Sequence, residues 1–242
     1  MILTANSTFS EIVNSSKVVY PFGSYVYGTY DETSDHDYIA ILKDDCSKNT
    51  PIIIQNDENW TVHLYTLSEF LLKLDNHDIA ILECVYLCPD LSFKPAFKLD
   101  VAKLRESIST ISSHSWVKGK KKLIVSGDYD KKAGLKSIFH SLRILDFGIQ
   151  LATNNSIIPN SMNWLWEELK LLGEKYDYDE LWNIIDSRYR ETYHNIRSDF
   201  KKVAPKDISN NDISKALEDI LKTYNCYSVD LKKEIENLYL KD

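Results

Sequence analysis

Two aspartates, Asp35 and Asp37, stand one residue apart in the stretch PFGSYVYGTYDETSDHDYIAILK near the start of the chain. On an extended segment the side-chain period is two, so both carboxylates point to one face. Like charges at that separation repel. A divalent cation resolves the conflict. Mg2+ takes oxygen ligands, commonly one or two carboxylates completed by substrate phosphates, and Mn2+ serves in the same role. About twelve residues upstream, Gly23 and Ser24 open a short turn or helix whose N–H groups and hydroxyl suit a phosphate. A phosphate holder and a metal holder so close together suit a nucleoside triphosphate with its metal. A bare Asp-x-Asp is weak, since an Asp in SDHD would equally cap a turn. That reading leaves the glycines and Ser24 unexplained.

The elements that must position these groups follow from pattern. Residues 7–17 read as a short helix, VVYPFG as a strand ending at Gly23, and DHDYIAILK as the next strand. PIIIQ and WTVHLYT are two further strands, split by the polar loop NDEN. LSEFLLKLDNHDIAILECVYL reads as one helix, with Ser68 as its cap. Beyond Pro95 the pattern is helical: 101–126, 131–153, 162–173, 178–203, 211–224 and 230–240, with SGDYD as a turn. The expected fold is α+β: a small mixed-sheet domain over 1–95, then an all-helical domain over 96–242.

GSYVYGTYDETSDHD resembles the Gly-Ser…Gly…Ser-Asp-x-Asp signature of the DNA polymerase β-like nucleotidyltransferase superfamily, with Gly23, Ser24, Gly28, Ser34, Asp35 and Asp37 all matching. The resemblance implies a palm of mixed α/β structure, two magnesium ions at Asp35 and Asp37, and transfer of a nucleoside monophosphate from an NTP with release of pyrophosphate. It implies nucleotide contacts at Gly23, Ser24 and Ser34. VHLYTLSEFLLKLDNHDIAILECVYL and KKAGLKSIFHSLRILDFGIQLA are similar to a branch of that superfamily associated with RNA repair, which tilts the acceptor towards a nucleic-acid end while a protein hydroxyl and a small molecule stay open.

The superfamily pattern includes a third acidic residue on the strand that WTVHLYT matches, and this strand has none. Thr61 or His63 stands on the face where it belongs, and Asp57 and Glu58 lie in the loop before it. Three explanations stand. His63 acts as the base, since imidazole titrates near neutrality. Asp57 or Glu58 reaches in. Or the chain is a nucleotide-binding sensor whose catalytic site has lapsed.

A second basic feature lies in the helix from residue 131. Lys132, Lys136, His140 and Arg143 fall at about 0°, 40°, 80° and 20° around a 3.6-residue helix. They form one stripe beside an apolar arc of Leu135, Ile138, Phe139, Leu142 and Leu145. Arg143 offers a bidentate grip on a triphosphate and the lysines point charges; an ordinary amphipathic helix, with His140 bonded in the core, is the alternative. Lys118 and Lys122 share a face near Trp116, which would stack on a base; solvated lysines are the plainer reading. Trp164, Trp166, Trp182, Tyr189 and Tyr193 recur beside leucines and read as core.

Composition narrows the classes. The 242 residues carry 43% hydrophobic residues, enough to bury a real core, and few glycines or prolines (7 and 6). No apolar run approaches the ~20 residues that span a bilayer, and MILTANSTFSEIV lacks the form of a signal peptide, so a cytoplasmic protein with no membrane partner is expected. Four cysteines fit no zinc template and read as reduced thiols. The net charge of −7 is uneven: residues 1–100 carry 6 Lys and Arg against 15 Asp and Glu, whereas 101–150 carry 10 against 4. An acidic first part and a basic middle suit a cation held on one side and a polyanion on the other. A plain nucleic-acid-binding module fits an acidic chain poorly.

Overall fold

The structure, a computed structural model, describes residues 3–43, 53–56, 59–87 and 97–206. The chain divides into two compact units, Met1–Phe97 and Lys98–Asp242. Among the described residues there are four strands and eight helices, and the architecture is α+β.

The first unit is built on a four-stranded mixed sheet, ordered β1-β2-β4-β3. β1 (Ser16–Phe22) runs antiparallel to β2 (His36–Leu42). β2 runs parallel to β4 (Trp60–Tyr65), and β3 (Ile53–Asn56) closes the far edge antiparallel to β4. Alternation sorts the side chains. Ala40, Leu42, Ile54, Trp60, Val62 and Leu64 bury one face against Leu3 and Ile12, with Phe9 of α1 (Phe9–Ser15) packed beside them. α1 starts at a capping box in which Thr8 and Glu11 satisfy each other's main chain. The opposite face carries Asp37 and Ile39 of β2 and Thr61, His63 and Tyr65 of β4, and α3 (Leu67–Asp75) packs on these two strands.

The single helix expected over residues 67–87 is two. Thr66, rather than Ser68, caps α3, again with a capping box through Glu69. The chain then breaks at Asn76–Asp78, where His77 takes a left-handed φ of 56°, and α4 (Ile79–Leu87) restarts. The sequence NHD explains the break. Its side chains compete for main-chain groups, as Asp78 does in accepting from the N–H of Ala80.

The second unit is helical. α5 (Val101–Ile124) and α6 (Lys131–Asn154) form an antiparallel hairpin, capped at their N-termini by Asp100 and Asp130. They approach closely at Gly134, where a Cβ would come within 2.9 Å of Leu123 Cγ. α8 (Tyr178–Val203) packs against both, and α7 (Asn163–Lys175) against α6. Trp166, Trp182, Tyr189 and Tyr193 are core, as expected; Trp164 is not, being 56% exposed near the start of α7. Trp116 is half-buried and stacks on Tyr193 with ring centroids 4.5 Å apart. The helices expected at 211–224 and 230–240 lie outside the described residues, as do Cys46, Cys88 and Cys226; Cys84 is buried. No described helix is long and apolar enough to cross a membrane.

Candidate active site

The Gly-Ser turn is shaped by its two glycines. Gly23, at the end of β1, has φ 80° and ψ −155°, a conformation open to glycine. Its carbonyl accepts from the N–H groups of Val26 and Tyr27, which makes α2 (Ser24–Tyr27) a single turn. Gly28 ends that turn in the left-handed region at φ 72°. Tyr27 donates its hydroxyl to the carboxylate of Glu83, a buried acid in the apolar run of α4. The turn is thereby tied to the helix that packs on β1.

The next turn delivers the acids. Asp31 Oδ1 accepts from the N–H of Thr33 at 2.9 Å and from its hydroxyl at 2.8 Å. The Ser34 hydroxyl accepts from the N–H of Asp31 at 3.0 Å and lies 3.2 Å from Asp31 Oδ1. Ser34 is buried here, so its hydroxyl serves the loop that aims Asp35. β2 begins at His36, which leaves Asp35 one residue ahead of the strand and Asp37 within it.

Strand register brings the pieces together. Asp37 pairs with Phe22 on one side and with Thr61 on the other. The Thr61 hydroxyl donates to Asp35 Oδ2 at 3.1 Å. Across β1, Asp37 lies against Gly23: a Cβ built on that glycine would stand 2.4 Å from Asp37 Oδ2. Gly23, Asp35, Asp37 and Thr61 thus form one constellation. Both aspartates are partly exposed, while Ile39, one rung further along β2, is buried.

His63 stands one rung deeper than the pair, opposite Ile39, with its ring edge-on to Phe22 at 5.4 Å. Burial first, then the charge of Lys73, holds its pKa below the ordinary 6.5, with Asp78 opposing. Its imidazole is therefore neutral at pH 7. Thr61 is the residue on β4 level with Asp37. Asp57 and Glu58 lie outside the described residues.

The donor set fits a hard divalent cation: two carboxylates two residues apart, beside a glycine whose missing side chain leaves room for one of them. Among the described residues no group of three or more His, Cys, Asp and Glu gathers as a metal cage.

The stripe on α6 is divided by burial. Lys132 is exposed and Lys136 partly so, whereas Arg143 is only 1% exposed. Arg143 donates to His140 Nδ1 at 2.9 Å and lies 4.6 Å from the Phe147 ring centroid. Burial, with the nearby Arg143 and Lys118 charges, lowers the His140 pKa to about 3, which keeps its Nδ1 an acceptor. In the helix before it, Lys122 pairs with Asp128 at 2.7 Å.

Two positioning residues, Tyr27 and Glu83, escape a reading of spacing alone. Glu83 carries a signal, since an acid inside IAILECVYL needs a buried partner. Alternation places Thr61 on the face of the acids, but its bond to Asp35 emerges only with strand register.

Residues 4–115 match the model of the nucleotidyltransferase domain family. No curated protein and no solved structure matches the chain.

Proposed function

We propose, from the premise that residues 4–115 form a nucleotidyltransferase domain of the polymerase β-like superfamily, that this chain moves a nucleoside monophosphate from an NTP to an acceptor hydroxyl, releasing pyrophosphate. The observation that carries the reading is the meeting of Gly23, Asp35, Asp37 and Thr61 at one end of β2. In it, Asp35 and Asp37 hold Mg2+ or Mn2+, which would supply charge neutralisation for the phosphates. Gly23 and Ser24 bind the β- and γ-phosphates at the turn. Thr61 orients Asp35 through its hydrogen bond, and the partly buried Tyr27–Glu83 contact fixes the turn against α4. The work is positioning and electrostatics, which dominate phosphoryl transfer.

The acceptor we favour is a nucleic-acid end, supported by the resemblance of residues 62–87 and 131–152 to the RNA-repair branch and by the basic balance of residues 101–150. A cytoplasmic setting agrees with the lack of any described membrane-spanning helix. The test is incubation with each labelled NTP, magnesium or manganese, and RNA, protein and small-molecule acceptors, with mass spectrometry of whatever gains mass. Asp35→Ala with Asp37→Ala abolishes product while leaving the circular dichroism spectrum unchanged; residual turnover in that double variant refutes the assignment.

One observation favours a second reading. The β4 residue level with Asp37 is Thr61, so this strand brings no carboxylate to the pair. A nucleotide-binding sensor with a lapsed catalytic site would show metal-dependent NTP binding and no pyrophosphate release with any of the four bases.

A further inference from the structure

A cavity of about 620 Å³ opens on the helical unit, lined from α5 by Lys103, Arg105 and Ser109 and from the end of α8 by Arg197 and Lys201, with Lys206 just beyond. Among the described residues its lining holds five cationic side chains and a single carboxylate, Glu106. The sequence builds it simply. Arg105 and Ser109 are four residues apart on α5, and Arg197 and Lys201 four apart on α8, so each pair shares a helix face.

The cations differ in what occupies them. Arg105 is committed to structure: its Nη1 donates to the carbonyl oxygens of Ala204 at 3.1 Å and Lys201 at 3.4 Å, capping the end of α8. Arg197 Nε and Ser109 Oγ are both buried without a hydrogen-bond partner among the described residues. The ammonium of Lys201 is held below its ordinary pKa, chiefly by the neighbouring Arg197, then by burial, Arg105 and Lys206. Orphaned buried donors and crowded like charges are both unfavourable. A bound polyanion relieves both at once, because it accepts from the donors and offsets the repulsion.

We propose that this cavity is a binding site for a phosphate-bearing ligand, with Arg197 and Lys201 as its principal charge partners and Ser109 as a hydroxyl donor. Arg197 offers the planar fork that matches phosphate oxygens, and Lys201 a mobile point charge. The site belongs to the helical unit alone and does not rest on the reaction proposed for the α/β unit. Two sources present this chemistry: the linked phosphates of a free nucleotide and the backbone or 5′-phosphate of an RNA strand.

Isothermal titration calorimetry of the full chain with sodium tripolyphosphate, and separately with a short 5′-phosphorylated single-stranded RNA, tests this. Both titrations are run in EDTA, so that metal-bridged binding at Asp35 and Asp37 contributes nothing. At least one probe binds. Arg197→Ala with Lys201→Ala weakens it about tenfold or more, and Glu106→Gln tightens it. RNA binding that falls steeply with salt, without comparable tripolyphosphate binding, assigns the site to a nucleic-acid backbone; the converse assigns it to free polyphosphate. Should the double variant lose its fold, Lys201→Glu at an exposed position reads the same effect, and Lys201→Arg retains the affinity. Failure of both probes to bind the full chain, or equal binding by the charge-removed variants, overturns the proposal.

Discussion

Gly23 and Asp37 are packed so closely that a single methyl group does not fit between them: a Cβ on the glycine would meet Asp37 Oδ2 at 2.4 Å and its Cγ at 3.2 Å. The glycine is also held at φ 80°, where L side chains are strained. Gly23→Ala therefore acts twice, through the backbone and by displacing the carboxylate. The expected cost is about 1–3 kcal/mol of stability, read by thermal unfolding. Nucleotide incorporation falls further than stability accounts for, by about tenfold or more if the carboxylate shifts by ~1 Å. An alanine variant with full turnover would separate Asp37 from the turn.

Thr61 offers a test of how the acid pair is completed. Thr61→Val removes the hydroxyl that donates to Asp35 Oδ2 at 3.1 Å. A hydrogen bond to a charged group contributes about 1.5–3 kcal/mol, and part of that loss shows as a several-fold higher magnesium requirement. Thr61→Asp places a third carboxylate level with Asp37. Without metal its repulsion lowers the melting temperature, and magnesium raises it by more than in the wild type. No magnesium shift in either protein would argue that the pair holds no cation.

His63 is neutral at pH 7 because burial and Lys73 depress its pKa below 6.5. If it serves as the base, His63→Ala lowers incorporation by at least about tenfold with nucleotide binding little changed. The acid limb of the wild-type pH–rate profile then lies below pH 6.5 and vanishes in the variant. Unchanged turnover leaves His63 as packing for Phe22.

His140 makes stability depend on pH. Burial, with the Arg143 and Lys118 charges, lowers its pKa in the folded chain to about 3, against the ordinary 6.5 in the unfolded chain. Between those values the unfolded state binds the extra proton. Stability is therefore fully present above pH 6.5 and is lost as pH falls towards 3, by up to about 1.4 kcal/mol per pH unit. His140→Gln keeps an acceptor for Arg143 but does not titrate. Its melting temperature should decline less steeply than the wild type's between pH 6.5 and 4.5. Parallel curves would show that His140 is not shielded.

Much of this protein was determined locally. The strands of the first unit and the helices α5 to α8 follow from periodicity, because each presents an apolar face at its own repeat and is bounded by caps or turns. The Gly-Ser turn and the Asp-x-Asp pair were legible because their chemistry is written in neighbouring residues. The break at NHD was hidden, since the apolar pattern runs through it and only side-chain competition for the main chain ends α3. What tertiary structure decided are relations between residues distant in sequence. Thr61 reaches Asp35 only because β2 and β4 pair in parallel in one register, and Tyr27 finds Glu83 only because α4 packs on β1. Arg143 shows the same division: helical angle puts it on a basic stripe, but packing of the helical unit buries it against Phe147 and His140. Spacing fixes which face a side chain takes; only long-range packing fixes what meets that face.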